Sequence, residues 1–307
     1  MKRREFLKKS IGASILTGSV LTFGGYGRIF ANTTNTPNLP YDLIAVKDGE
    51  PDKMFEKAID AMGGMSKFVK RGQTVVVKPN IGWDVSPERA GNTNPKLVAR
   101  IIKHCFDAGA SKVYVFDHTC DEWKKCYQNS GIEKAAKEAG AKVAPGNNEG
   151  YFEEVSIPKG KNLKKAKEHE LILESDVFIN VPILKHHGSA RLTASMKNLM
   201  GAVWDRKFWH RNDLHQCIAD FASYRKPDLN IVDAYRVMMR NGPRGVSTSD
   251  VSTMKYLIMS DDMVAADVSS AKIFGAEPEK IRHMTIAGDA GYGQFNLKKL
   301  KIGRLKM

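Results

Sequence analysis

The chain has 307 residues, 42% of them hydrophobic, and a formal net charge of +14. That length and apolar content suffice for one large domain or two lobes, and the near-average glycine and proline content excludes a fibrous or disordered chain. The basic balance suits an anionic partner. It comes without zinc-finger spacing, an RNA-binding aromatic signature or a basic zipper, so nucleic acid is not the expected one.

Residues 1–31 follow the three-part plan of an export signal, a charged start, an apolar stretch and a cleavage region, Ile29-Phe30-Ala31, that lacks the usual small residue two positions before Ala31. Lys2-Arg3-Arg4-Glu5-Phe6-Leu7-Lys8 resembles the twin-arginine signal, and the stretch from Ile11 to Phe23 is too short and glycine-interrupted to span a bilayer stably. Cleavage is expected after Ala31, and no cysteine follows to carry a lipid. The mature protein is therefore expected outside the cytoplasm, with no membrane span. The twin-arginine route carries folded proteins, often ones that hold a cofactor or travel with a partner that does. Residues 32–40 read as a polar linker.

From residue 41 onward short apolar runs alternate with amphipathic segments. Leu43–Val46 predicts a strand, and Pro51–Met62 a helix with proline in its first turn. Thr74–Val77 is a β-branched strand. Asn94 caps a helix with Pro95 at its first position, lined by Leu97, Ile101, Ile102 and Cys105 and closed by Gly109. A strand at Val113–Phe116 follows. Ser130 and Glu133 then predict a capping box for a helix ending at Gly140, before a short strand at Lys142–Ala144. The lysine-rich run Lys159–Lys167 reads as a solvated loop and helix start. Further strands are predicted at Asp176–Val181, Leu229–Val232 and Tyr256–Met259. Such alternation predicts an α/β fold, a mainly parallel sheet with helices on both faces.

In such sheets ligands bind outside the carboxyl ends of the strands. The residues expected there are Lys78 and Asn80; Asp117, His118 and Cys120; Lys185, His186 and His187; Asp233; and Ser260 to Asp262. Lys197 and Asn198 stand beside Gly201, and the turn Asn241-Gly242-Pro243-Arg244-Gly245 offers backbone N–H groups to an anion. Lys78, Asn80, Lys185, Lys197, Asn198 and Asn241 are thus the candidate ligand-binding residues for an anionic small molecule. Asp117, His187 and Asp233 are the candidate acid–base groups. His118, Cys120 and Cys126 are candidate metal ligands, though the spacing is looser than that of a zinc or cluster site; a Cys120–Cys126 disulfide and free thiols remain alternatives. Cys105 and Cys217 keep helical spacing with apolar neighbours and read as buried thiols.

Six segments in order resemble the DUF362 family, named as a domain of unknown function. They are Val75-Val76-Val77-Lys78-Pro79-Asn80; Val177 to Pro182 with Lys185; Met196-Lys197-Asn198-Leu199-Met200-Gly201; Lys226-Pro227-Asp228-Leu229 with Asp233; Asn241-Gly242-Pro243; and Asp262 to Asp267. Some relatives carry ferredoxin-type modules, so the resemblance implies a link to redox chemistry, with a metal ion or iron–sulfur cluster as cofactor. It implies no particular reaction. Lys185-His186-His187 stands where many members have Lys-Thr-His, and Met239-Arg240 where many have an acid before Asn-Gly-Pro. Three functions fit: a redox- or metal-associated enzyme or accessory protein, a non-catalytic anion- or cofactor-binding protein, or a subunit exported with a redox partner.

Overall fold

The computed structural model describes residues 40–307. The export signal and nearly all of the linker expected from the sequence lie outside the described residues. The described residues lie in one compact unit.

The strands in chain order are β1 (Leu43–Lys47), β2 (Thr74–Pro79), β3 (Lys112–Val115), β4 (Lys142–Val143), β5 (Phe152–Ser156), β6 (Lys165–His169), β7 (Val177–Val181), β8 (Ile183–His187), β9 (Arg191–Thr193), β10 (Leu229–Met238), β11 (Val251–Ser260) and β12 (Ile302–Lys306). Among the described residues ten of them form one sheet in the order β12-β1-β11-β10-β7-β2-β3-β4, with β8 beside β10 and β9 beside β8. Most neighbours in it are parallel; β11 runs antiparallel to both β1 and β10, and β9 to β8. The predicted α/β class is therefore the observed one.

Side chains alternate across each strand, and the two faces bury separate cores. Val75, Val77, Val113 and Ile179 pack against the helices Pro51–Ala61 and Pro95–Asp107. Val76, Tyr114, Phe178 and Val232 pack on the other face with Leu214–Ala222 and Met263–Phe274. Asn94 caps its helix as expected, accepting from the Lys96 N–H at 3.0 Å. The predicted capping box at Ser130 does not form. Ser130 ends a separate helix, Trp123–Asn129, and Gly131 in a left-handed conformation starts the next, Ile132–Glu138.

The lysine-rich run also departs from its expected loop. Lys165–His169 is the strand β6, paired antiparallel with β5 in a two-stranded hairpin. A further difference bears on the site. Because β11 is antiparallel to β10, Ser260 lies opposite Asn230, at the start of β10. Through Asn230 and Asn180, Ser260 is level with Lys78 but three strands away, and β11 reaches it running opposite to β2. Asp262 caps the helix Met263–Phe274, accepting from Val264 and Ala265 N–H groups. Among the described residues no helix is long and apolar enough to cross a membrane.

Candidate anion site at the strand ends

The carboxyl ends of β2, β3 and β8 and the short helix Ser195–Asn198 surround a cavity of about 330 Å³. Its lining includes Asn80, Asp117, Lys185, His187, Lys197 and Arg206. Four separated stretches of sequence thus meet in one place.

Lys78 does not reach the cavity surface. It is fully buried behind Asp117, whose Oδ1 lies 2.8 Å from its Nζ, while Asp117 Oδ2 accepts from the Ile81 N–H at 2.6 Å. Burial pulls the Lys78 amine below the usual lysine range, opposed by the Asp117 charge. The one carboxylate at this wall is therefore already matched by its own cation. The approach is close enough to require glycine at 201, where a Cβ would collide with the Asp117 carboxylate.

Lys185 is also buried, donating to Gly91 O at 2.5 Å and Asn80 Oδ1 at 3.1 Å. From there a chain of amides crosses the sheet. Asn80 Nδ2 donates to Asn198 Oδ1 at 2.9 Å, Asn198 Nδ2 to Asn180 Oδ1 at 2.9 Å, and Asn180 Nδ2 to Asn230 Oδ1 at 3.0 Å. Each amide both gives and receives, which fixes its orientation and holds Lys185 in place. Burial, with no carboxylate bonded to it, lowers Lys185 to about 7. Lys197 is lowered to about 8, again chiefly by burial.

Arg206 completes the cationic wall. Its guanidinium donates to the His118 and Thr119 carbonyls at 2.8 and 2.6 Å, and its Nη1 lies 3.3 Å from Cys120 Sγ. His187 accepts the Ala190 N–H at Nδ1, 3.1 Å away, so the neutral ring carries its proton on Nε2. Burial and then Lys197 push its pKa down and keep it uncharged. The His210 ring is roughly parallel to it, with centroids 6.4 Å apart.

Other sequence candidates are placed elsewhere. Asp233 does not line the cavity; it is buried beneath the loop before Pro95–Asp107, accepting from Asn94 and Tyr235 N–H groups at 2.8 and 3.1 Å. Burial raises it to about 6 against those bonds. Asn241 donates to Asp250 at 2.7 Å. The turn it begins keeps its N–H groups for itself: Gly242 N–H goes to His186 Nδ1 and Gly245 N–H to Asn241 O, so only Pro243 of that turn meets the cavity.

His118, Cys120 and Cys126 do not converge as metal ligands. The His118 ring stacks on Trp204 with centroids 4.8 Å apart and bonds Val203 O, and burial lowers it to about 4. Cys126 is buried toward Gly82 O, whereas Cys120 is exposed, and all four described cysteines are free, so the Cys120–Cys126 disulfide is not formed. Among the described residues no group of three or more His, Cys, Asp or Glu side chains is placed to hold a metal ion. The cavity lining mixes Lys185, Lys197 and Arg206 with Asp117, His118, Cys120, His187 and His210, but no three of the latter converge, so the donors as placed do not fit a resident metal or cluster.

Sequence reasoning missed Arg206, Asn180 and Asn230 as parts of the site. Asp267 also belongs to its support, accepting from Ser195 and Met196 N–H groups at 2.5 and 3.1 Å and so anchoring the helix that carries Lys197 and Asn198.

Three comparisons with known proteins follow from this geometry. The profile of a family described as "Domain of unknown function (DUF362)" matches residues 75–272, more than half the chain. A thylakoid-associated protein of Synechocystis sp. is 26% identical over 234 residues, 74% of this chain and 70% of that protein. Among solved structures, the lactate racemase apoprotein of Thermoanaerobacterium thermosaccharolyticum aligns with a TM-score of 0.48 at 12% identity, over 75% of this chain and 56% of that one. A Thermotoga maritima protein aligns at 0.47 and 9%, over 79% and 60%. The chain spans less than two thirds of either solved chain, and neither likeness is close enough to carry a function.

Proposed function

The chain belongs to the DUF362 family, and we propose that it is an exported protein that takes a small organic anion, a carboxylate or a phosphate, into the cavity at the ends of β2, β3 and β8. One observation carries this reading: Lys185, Lys197 and Arg206 line one cavity whose single neighbouring carboxylate, Asp117, is already paired with Lys78. Cations gathered without counter-charge repel one another and lose hydration, and a bound anion relieves both costs. Burial is the main cause of the depressed amines of Lys185 and Lys197, and a bound anion would raise them again. His187 Nε2–H adds a neutral donor for a ligand oxygen.

Export is supported by the twin-arginine pattern at Arg3-Arg4 and the apolar stretch after it. The redox link implied by the family resemblance is then exercised with an exported partner that carries the metal or cluster, since this chain's own donors do not suit one.

The test is thermal unfolding of the purified protein with inorganic phosphate, succinate or pyruvate. A ligand at about a hundred times its Kd stabilises the native state by about 2.7 kcal/mol, readily seen as a rise in Tm. A rise with at least one of these anions, absent with neutral analogues, is the expected result. No shift with any of them would contradict the reading.

A further inference from the structure

Three of the four cations at this site have their polar partners in the fold. Lys78 is paired with Asp117, Lys185 donates to Gly91 and Asn80, and Arg206 is held by two carbonyls. Lys197 differs. It lines the cavity from a helix anchored by Asp267, yet among the described residues no hydrogen bond or ion pair engages its amine. A half-buried lysine without a partner gives up a bond that the other three make.

We propose that the Lys197 amine is a nucleophile that captures the carbonyl carbon of a small 2-oxo acid as an imine, with the acid's carboxylate lying against Arg206 and Lys185. This rests on the anion-binding reading and names the substrate class for the same cavity. Amine nucleophiles must be uncharged, and enzymes achieve this by desolvation and neighbouring cations. Both are present: burial is the main cause of the lowered Lys197 pKa, and Arg206 and Lys78 add to it. The surrounding cations call for a carboxylate; the unengaged amine calls for a carbonyl beside it. A cavity of about 330 Å³ admits a molecule of that size.

The step balances without an oxidant or reductant. The nitrogen lone pair forms the C–N bond while the neutral His187 Nε2–H, at the cavity wall, offers a hydrogen bond to the carbonyl oxygen. The two protons of the attacking amine pass through solvent to that oxygen, the C–O bond breaks, and the oxygen leaves as water. Amine plus carbonyl gives imine plus water.

The experiment treats the full chain with pyruvate and sodium cyanoborohydride and maps reduced adducts by peptide mass spectrometry. An amine near 8 has an uncharged fraction on the order of a hundredfold above that of an ordinary lysine at about pH 8. A dominant adduct on Lys197, slowed by phosphate and lost in Lys197→Arg, is the expected result. Arginine keeps the charge but forms no such adduct, and the variant's Tm without ligand shows that the fold persists. Adducts confined to exposed lysines, or unchanged in Lys197→Arg, overturn the inference. If pyruvate and phosphate still raise Tm in that case, imine formation alone has failed. If neither does, the anion reading has failed with it.

Discussion

At the carboxyl ends of β2, β3 and β8, charged side chains face a cavity; three strands away from β2 in the same sheet, where β11 ends, charged side chains face backbone. Lys185 and Lys197 have depressed pKa values and no carboxylate bonded to them. Asp262 accepts from three N–H groups, those of Val264, Ala265 and Gln294, and is consumed by them. Lys185 lies in β8, Lys197 in the helix Ser195–Asn198 and Asp262 just after β11, and as sequence they look alike. What separates them is exposure to the cavity: Asp262 is taken up by backbone N–H groups and lines no part of it, whereas Lys185 and Lys197 line it with no carboxylate bonded to them.

The comparison can be broken in order of expected effect. Gly201→Ala drives a methyl group into the Asp117 carboxylate, so it should lower stability by about 1–3 kcal/mol and abolish anion-induced stabilisation, measured by denaturant unfolding with and without phosphate. Lys185→Ala removes a charged donor at the cavity and should weaken anion binding by about ten- to a hundredfold, read by calorimetric titration. Asp262→Ala is the control from the end of β11. It should cost about 1–2 kcal/mol of stability, as loss of a helix cap does, while leaving anion affinity unchanged. Loss of affinity in this variant with a wild-type Tm would erase the distinction between the two regions.

The pH dependence of binding is a gentler probe. Lys185 and Lys197 are depressed to about 7 and 8, so below about 7 both are cationic in the free protein and affinity is greatest. As pH rises through 7 to 8 they lose their protons, and an anion must then bind together with proton uptake. Affinity should fall by at most about tenfold per pH unit for each lysine involved. An affinity flat across that window would place the ligand away from both amines.

Much of the fold was legible because buried parallel strands announce themselves as β-branched runs, as Val75–Val77 does. Strand direction was not. The pattern of Tyr256–Met259 is the same whichever way the strand runs, so Asp261 and Asp262 were expected beside the cavity, which they do not line. β8 and β9 were hidden because Lys185, His186 and His187 read as loop residues, yet they pair with Thr193, Leu192 and Arg191. In the site, Lys185, Lys197, Asn80 and Asn198 were found from their places after strands or beside glycine. Arg206 follows no strand and sits in a short helix, so only the folding of that helix over the His118 loop reveals it. Asp233 misled for the opposite reason: it does follow the start of a strand, but two N–H groups claim it.

The central claim, that the cavity takes an anion and restores charge to its lysines, is tested most directly by calorimetric titration of the protein with pyruvate and with phosphate at about pH 8, in buffers of different ionisation heat. The account predicts binding of at least one of them with net proton uptake, diminished in Lys185→Ala. Binding without proton uptake, or no binding of either anion, would contradict it.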